Sequence, residues 1–106
     1  MSFGVMGGHM QCHGHAQMVQ RVFDRSMNPQ AASDAPRWQV TEGGTILLES
    51  GYDEEVRKGL ESRGHVLEPT TDDTPFSMGG AQLILKTEHG YVGGSDHRKD
   101  GMALGY

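Results

Sequence analysis

The stretch Ser2-Phe3-Gly4-Val5-Met6-Gly7-Gly8-His9-Met10-Gln11 constrains the fold most, because it reads as a short buried strand running into a paired-glycine turn that opens a helix. Phe3 and Val5 are strand-type side chains, and Gly7 and Gly8 remove every side chain where the backbone turns. Adjacent glycines can take positive φ and leave their N–H groups bare, so a ligand oxygen can approach the main chain itself. The residues from about Gly14 onward read as helical, which places those N–H groups near the positive end of a helix. An oxyanion hole is built this way; the plainer reading is a tight strand-to-helix connection that binds nothing.

A chain of 106 residues is one domain at most, and at that size it buries only about two-thirds of its unfolded surface. Apolar residues make up 35%, glycine accounts for 16 positions, and seven methionines stand in for branched aliphatics, so a core made from this chain alone is expected to be small and in need of a partner. The methionines are read as core filler. A net charge of −5 with scattered Lys and Arg argues against a nucleic-acid or anionic-membrane surface. No apolar run approaches a membrane span, the start lacks the pattern of a signal peptide, and nothing assigns a compartment. The single Cys12 excludes an internal disulfide.

Along the chain, Ala16, Val19, Val22 and Phe23 recur at helical spacing against Gln17, Gln20, Arg21 and Asp24, which predicts an amphipathic helix from about Gly14 to Ser26 with the former set facing the core. Asn28-Pro29 is a restart signal, an N-cap followed by proline at the first helical position, and predicts a short helix to Asp34. Arg37–Val40 and Thr45–Glu49 read as extended, with a turn at Glu42-Gly43-Gly44. Asp53 caps a third helix with Glu54 and Glu55 in its first turn, Val56 and Leu60 on one face and Gly64 at C′. His65–Glu68 is extended, Pro69–Pro75 is a polar loop expected to be mobile, and Ala81–Lys86 with Tyr91–Gly94 forms a hairpin around Glu88-His89-Gly90.

The blocks Met6-Gly7-Gly8-His9-Met10-Gln11 with Gly14-His15, Asn28-Pro29-Gln30-Ala31-Ala32 through Asp34-Ala35-Pro36-Arg37, Leu48-Glu49-Ser50-Gly51, Gly79-Gly80-Ala81-Gln82, and Gly94-Ser95-Asp96 with Arg98, Asp100-Gly101 and Gly105-Tyr106 stand in an order that resembles the C-terminal part of the small subunit of γ-glutamyltransferases, members of the N-terminal-nucleophile hydrolases. The resemblance covers nearly the whole chain, residues 1–106 as a single domain. It implies an α/β (α+β) architecture, part of a four-layer αββα fold with antiparallel sheet strands and two to three helices. It also implies covalent acyl transfer, in which an N-terminal threonine attacks a γ-glutamyl amide and the glutamyl group passes to water or an amine. Gly7 and Gly8 match the family's oxyanion-hole glycines. The threonine and the residues that grip the glutamyl group lie upstream in the family, and Thr41, Thr45, Thr70, Thr71, Thr74 and Thr87 do not match the nucleophile's setting. The expectation is therefore a piece of such an enzyme, inactive alone, that uses no cofactor and works with an upstream part. The alternative is a small α/β binding or structural module that self-associates through its strand edges as a homo-oligomer. Two departures from the family's pattern are Cys12-His13 in place of Pro-Gln and His97 in place of a proline, the latter expected to loosen the turn before Arg98.

His9, Cys12, His13 and His15 offer a thiol and three imidazoles that zinc, nickel or copper accepts, yet His9 and His15 fall in blocks where the family needs no metal, so no metal site is expected. A Cys12 nucleophile with a His13 base is set aside because adjacent residues seldom present side chains to each other. Asp96, His97 and Arg98 are read as a turn in which Asp96 accepts main-chain N–H bonds rather than as an acid/base cluster. Arg37 beside Trp38 is read as a snorkelling, packing residue rather than a substrate wall. Glu54-Glu55 and Asp72-Asp73 are solvated charge pairs.

Overall fold

The computed structural model describes residues 1–70 and 77–106. Strand β1 (Ser2–Met6) pairs antiparallel with β5 (Gly80–Thr87), which pairs antiparallel with β6 (Gly90–Ser95), giving a sheet of order β1-β5-β6. Val5 lies opposite Ala81, and Leu83 opposite Gly94. The expected hairpin forms around Glu88 and His89, with Gly90 at φ +149° opposite Thr87. Helices α1 (Met10–Val19) and α2 (Pro29–Asp34) cover one face of this sheet. Val5, Met18, Val22, Ala32, Ala81 and Leu83 form the core between them.

A second sheet carries β2 (Trp38–Val40), β3 (Ile46–Leu48) and β4 (Leu67–Pro69) in that order. β2 and β3 are antiparallel, whereas β3 and β4 run parallel, because α3 (Glu54–Glu61) crosses between them. The all-antiparallel expectation therefore holds for the first sheet only. Asp53 precedes α3 in extended conformation but makes no side-chain cap bond. Gly64 ends the helix as expected: its N–H donates to Glu61 O at 2.9 Å and His65 N–H to Leu60 O at 3.2 Å, the paired bonds of a Schellman motif. Asn28 Oδ1 accepts from Ala31 N–H at 2.8 Å, and Pro29 opens α2. Of the loop Pro69–Pro75, Pro69 closes β4 and Thr70 N–H bonds Leu48 O, while Thr71–Pro75, including Asp72 and Asp73, lie outside the described residues.

The first helix departs from the sequence expectation in two ways. It starts at Met10 rather than Gly14, because Met10 and Gln11 N–H groups bond Gly7 O and Gly8 O, each at 3.0 Å, straight out of the glycine turn. Gly14 is instead a contact glycine. A Cβ there would stand 2.5 Å from Cγ1 and 3.0 Å from Cβ of buried Val5, so α1 reaches the sheet through that gap. The second departure is the face. Met10, Gly14, Gln17, Met18, Arg21 and Val22 are buried, while Ala16, Val19 and Phe23 face out, Phe23 at 58% exposure. Polar Gln17 and Arg21 replace apolar residues on the buried stripe because their heads bond main-chain groups, which a periodicity count does not register. The helix ends in a π turn, Gln20–Asp24, and stops at Ser26 with φ +53°.

The methionines divide. Met10, Met18 and Met78 are buried and Met1 and Met27 pack on the core, but Met6 and Met102 are exposed at 53% and 73%. Gly14→Ala is expected to lower stability by about 1–2 kcal/mol, since the clash with stiff, β-branched Val5 outweighs the helix-propensity gain of alanine. Thermal melts check this, and Val5→Ala in the same chain should return part of the loss.

Candidate active-site turn

The glycine turn is held from three sides. Gly7 has φ +136° and Gly8 φ +58°, both in the region that favours glycine. Their carbonyls accept from the first turn of α1, which leaves their N–H groups at its positive end; among the described residues neither donates to another main-chain oxygen. Gly8 is exposed and Gly7 half-buried. Gly79, with φ +68°, closes the inner side. A Cβ on Gly7 would lie 2.9 Å from Gly79 Cα, and a Cβ on Gly79 would lie 2.1 Å from Met6 O. Only glycine fits at either position.

What fixes Gly79 is a buried ion-pair network. Arg37, with a fully buried side chain, donates through Nη1 to Met78 O at 2.8 Å and through Nη2 to Asp96 Oδ2 at 2.5 Å. The same Asp96 oxygen accepts Ala81 N–H at 2.5 Å, and Oδ1 accepts Arg98 N–H at 2.9 Å. Arg98 continues the chain of charges, reaching Asp96 at 3.2 Å and, through Nε, Glu49 Oε1 at 2.6 Å, with a second bond from Nη2 to Glu49 Oε2. Glu49 Oε2 also accepts Arg37 N–H at 2.7 Å. Two cations and two carboxylates thus tie the ends of β3, α2 and β6 to the Met78–Ala81 segment that backs the turn. Burial pushes the Asp96 carboxyl up, but the Ala81 and Arg98 N–H bonds and the Arg37 charge outweigh it and hold it below the usual carboxylate range. Burial also lowers Arg98, yet Glu49 and Asp96 carry it above its ordinary value.

Asp96 therefore does accept main-chain N–H bonds as read from the sequence, but Arg37 does not snorkel. Its whole side chain is enclosed because Asp96, 59 residues away, supplies the countercharge that a local reading lacks. His97 is exposed with Nδ1 3.1 Å from Asp34 Oδ1, a contact across to α2 made by the residue that replaces proline.

The His/Cys set does not converge. His15 Nδ1 faces Gln11 O at 2.5 Å and Nε2 accepts Val5 N–H at 3.4 Å, so a proton on Nδ1 satisfies both and both nitrogens are used by backbone. That imidazole also caps an outward N–H of edge strand β1. Cys12 and His13 do meet, Sγ to Nδ1 at 3.5 Å, contrary to the expectation for neighbours, because both also turn back toward His9 O on the first turn of α1. Their shared partner is a carbonyl, and His13 otherwise stands edge-on to Trp38. Among the described residues no three His, Cys, Asp or Glu side chains are placed to hold a metal ion. Of the described threonines, Thr41, Thr45, Thr70 and Thr87 lie in or beside β2–β3, β4 and the hairpin, none in the segments that form the turn. No described helix is long and apolar enough to cross a membrane.

The antiparallel sheet is thus covered by helices on one face, and its edge strand β1 enters α1 through the glycine turn. The γ-glutamyltranspeptidase family model matches residues 1–106, and the chain belongs to that family. It is 32% identical to the glutathione hydrolase-like YwrD proenzyme of Bacillus subtilis, over 97% of this chain and 21% of that protein. Among solved structures, cephalosporin acylase from Bacillus halodurans superposes with a TM-score of 0.86 at 38% identity over 98% of this chain and 20% of that one. The γ-glutamyltranspeptidase of Helicobacter pylori (T380A mutant) superposes with a TM-score of 0.74 at 27% identity, over 92% of this chain and 53% of that chain. The chain thus spans about a fifth of the curated relative and the acylase and about half of the H. pylori chain, and its match is to the small-subunit portion of the full enzymes.

Proposed function

We propose that this chain supplies the oxyanion-binding part of a γ-glutamyl acyl-transfer or hydrolysis site whose threonine nucleophile comes from an upstream segment. The observation that carries the reading is the Gly7–Gly8 turn, two N–H donors at a helix N-terminus held by Gly79 with no side chain in the way. In the proposed step the N-terminal threonine's own α-amine takes its hydroxyl proton, the threonine oxygen bonds to the amide carbon, the C=O electron pair moves onto oxygen, and Gly7 and Gly8 N–H stabilise that charge. Collapse breaks the C–N bond, the leaving nitrogen takes the proton held by the α-amine and departs as the amine, and the acyl ester that remains is cleaved by water or a second amine, whose proton returns to the threonine oxygen. Alone, the chain is inactive in this reading. Two side-chain caps argue against strand-edge self-association as its role: His15 occupies Val5 N–H on β1, and Gln30 bonds both Ser95 N–H and O on the outer edge of β6 at 3.0 and 2.8 Å.

The test is release of the anilide from a chromogenic γ-glutamyl anilide by the chain alone and together with the upstream segment of a related enzyme. Release only in the mixture supports the reading, release by the chain alone overturns the need for an upstream nucleophile, and silence in both overturns the acyl-transfer role. The higher identity to a cephalosporin acylase makes an acylated cephalosporin the second substrate to assay in the same mixtures.

A further inference from the structure

The second sheet and the first helix enclose a groove that the glycine turn does not touch. Its volume is about 600 Å³, within the range of small-molecule sites, and Trp38, Ile46, Leu48, Val56 and Leu60 line its apolar walls. Its charged lining has one sign among the described residues: Arg21 and Arg25 and no carboxylate, in a chain with 14 acidic and 9 basic residues. Arg21 is buried and bonds only neutral oxygens, those of Ala32, Ala35, Pro36 and Gln17, at 2.5 to 3.4 Å, so its charge has no carboxylate partner among the described residues. The first three are main-chain carbonyls of α2 and its exit and the fourth is the side-chain amide oxygen of Gln17 on α1; they orient the guanidinium without cancelling it. Arg25 is exposed at the rim; its main-chain N–H donates to Gln20 O at 3.1 Å, while its guanidinium makes no hydrogen bond or ion pair among the described residues. Tyr52, also on the groove wall, donates to Pro36 O at 2.8 Å; burial and the Glu49 charge raise its phenol, while the Arg21 and Arg25 charges pull it down.

We propose that this groove binds an apolar monocarboxylate, its hydrocarbon against Trp38, Ile46 and Leu60 and its carboxylate on Arg25 in the field of Arg21. Charge complementarity selects this occupant over a neutral or cationic amphiphile: among the described residues the groove is lined by two cations and no anion, which attracts a carboxylate, and the Arg25 guanidinium, without a side-chain partner among those residues, offers the fork a carboxylate bonds.

Trp38 is the sole tryptophan and lines the groove, so its emission reports occupancy directly. Titration with decanoate below its micelle threshold is expected to give a saturable change, and decyltrimethylammonium none. Arg25→Gln, at an exposed position, should leave the melting curve unchanged and weaken decanoate by about tenfold or more. Val56→Glu, at a 44% exposed position, should abolish binding by setting a like charge at the rim. Equilibrium dialysis of labelled decanoate makes the same comparison on the chain co-expressed with an upstream segment. Absence of saturable binding in both formats overturns the proposal, as does equal affinity for decanoate and the ammonium amphiphile, or an Arg25→Gln chain that binds like the parent. None of these outcomes depends on acyl transfer.

Discussion

Asp96→Ala is expected to cost about 3–5 kcal/mol, enough to leave much of the chain unfolded at ambient temperature, because a domain of this size has only about 5–15 kcal/mol in total. The change strands the Arg37 guanidinium in the interior and removes the acceptor for Ala81 and Arg98 N–H at once. Urea unfolding followed by circular dichroism measures the loss. The double variant Arg37→Met/Asp96→Ala should lose less than the sum of the two single changes, since the second substitution removes the charge the first left unpaired. A loss below about 1 kcal/mol in Asp96→Ala would mean that the pair is not formed. The acid limb carries the same information. The folded carboxyl sits below its unfolded value of about 4, so its contribution is fully present above that pH and disappears as pH falls through the lower, folded value. Stability of the parent should therefore fall in acid more steeply than that of Asp96→Asn.

This network also separates what was legible in the sequence from what was not. The strand into the glycine turn, the Asn28 cap, the Gly64 stop and the Glu88-His89 hairpin were legible because each is decided within about six residues of chain. The buried face of α1 was not, because Gln17 and Arg21 face inward for reasons that lie in α2 and β2, namely the carbonyls of Ala32, Ala35, Pro36 and Trp38. Burial of Arg37 was equally hidden, since its countercharge is Asp96. A signal was nevertheless present: both residues stand inside separate family-like blocks, Asp34-Ala35-Pro36-Arg37 and Gly94-Ser95-Asp96, and opposite charges in two such blocks are candidates for a pair. At the turn, Gly7 and Gly8 could be named from the sequence, whereas Gly79 was visible only as part of a block. Its role follows from a close approach to Met6 O and Gly7 that no spacing rule encodes.

On the proposed reading, exchanging the Gly8 amide for an ester is expected to lower the acyl-transfer rate of the assembled enzyme by about 100-fold or more, because the ester lacks the N–H assigned there to the oxyanion while keeping the shape of the chain. A side-chain substitution cannot make that separation. Proline has φ near −65° where Gly8 needs +58°, and any Cβ on Gly7 strikes Gly79. Cys12 makes the ester reachable, since a synthetic Met1–Gln11 segment can be ligated to a chain that begins at that cysteine. The ester also weakens Gly7 O as the acceptor for Met10 N–H, a cost of about 1 kcal/mol at most, so the melting curve should move little. The ester at Gly7 weakens Met6 O instead and leaves that helix bond intact. A rate loss shared by both esters, with nearly parental melts, assigns the effect to the missing N–H groups. Parental rates in both would show that the turn only joins β1 to α1, and the charge on the tetrahedral oxygen would then have to be met by groups other than the Gly7 and Gly8 N–H.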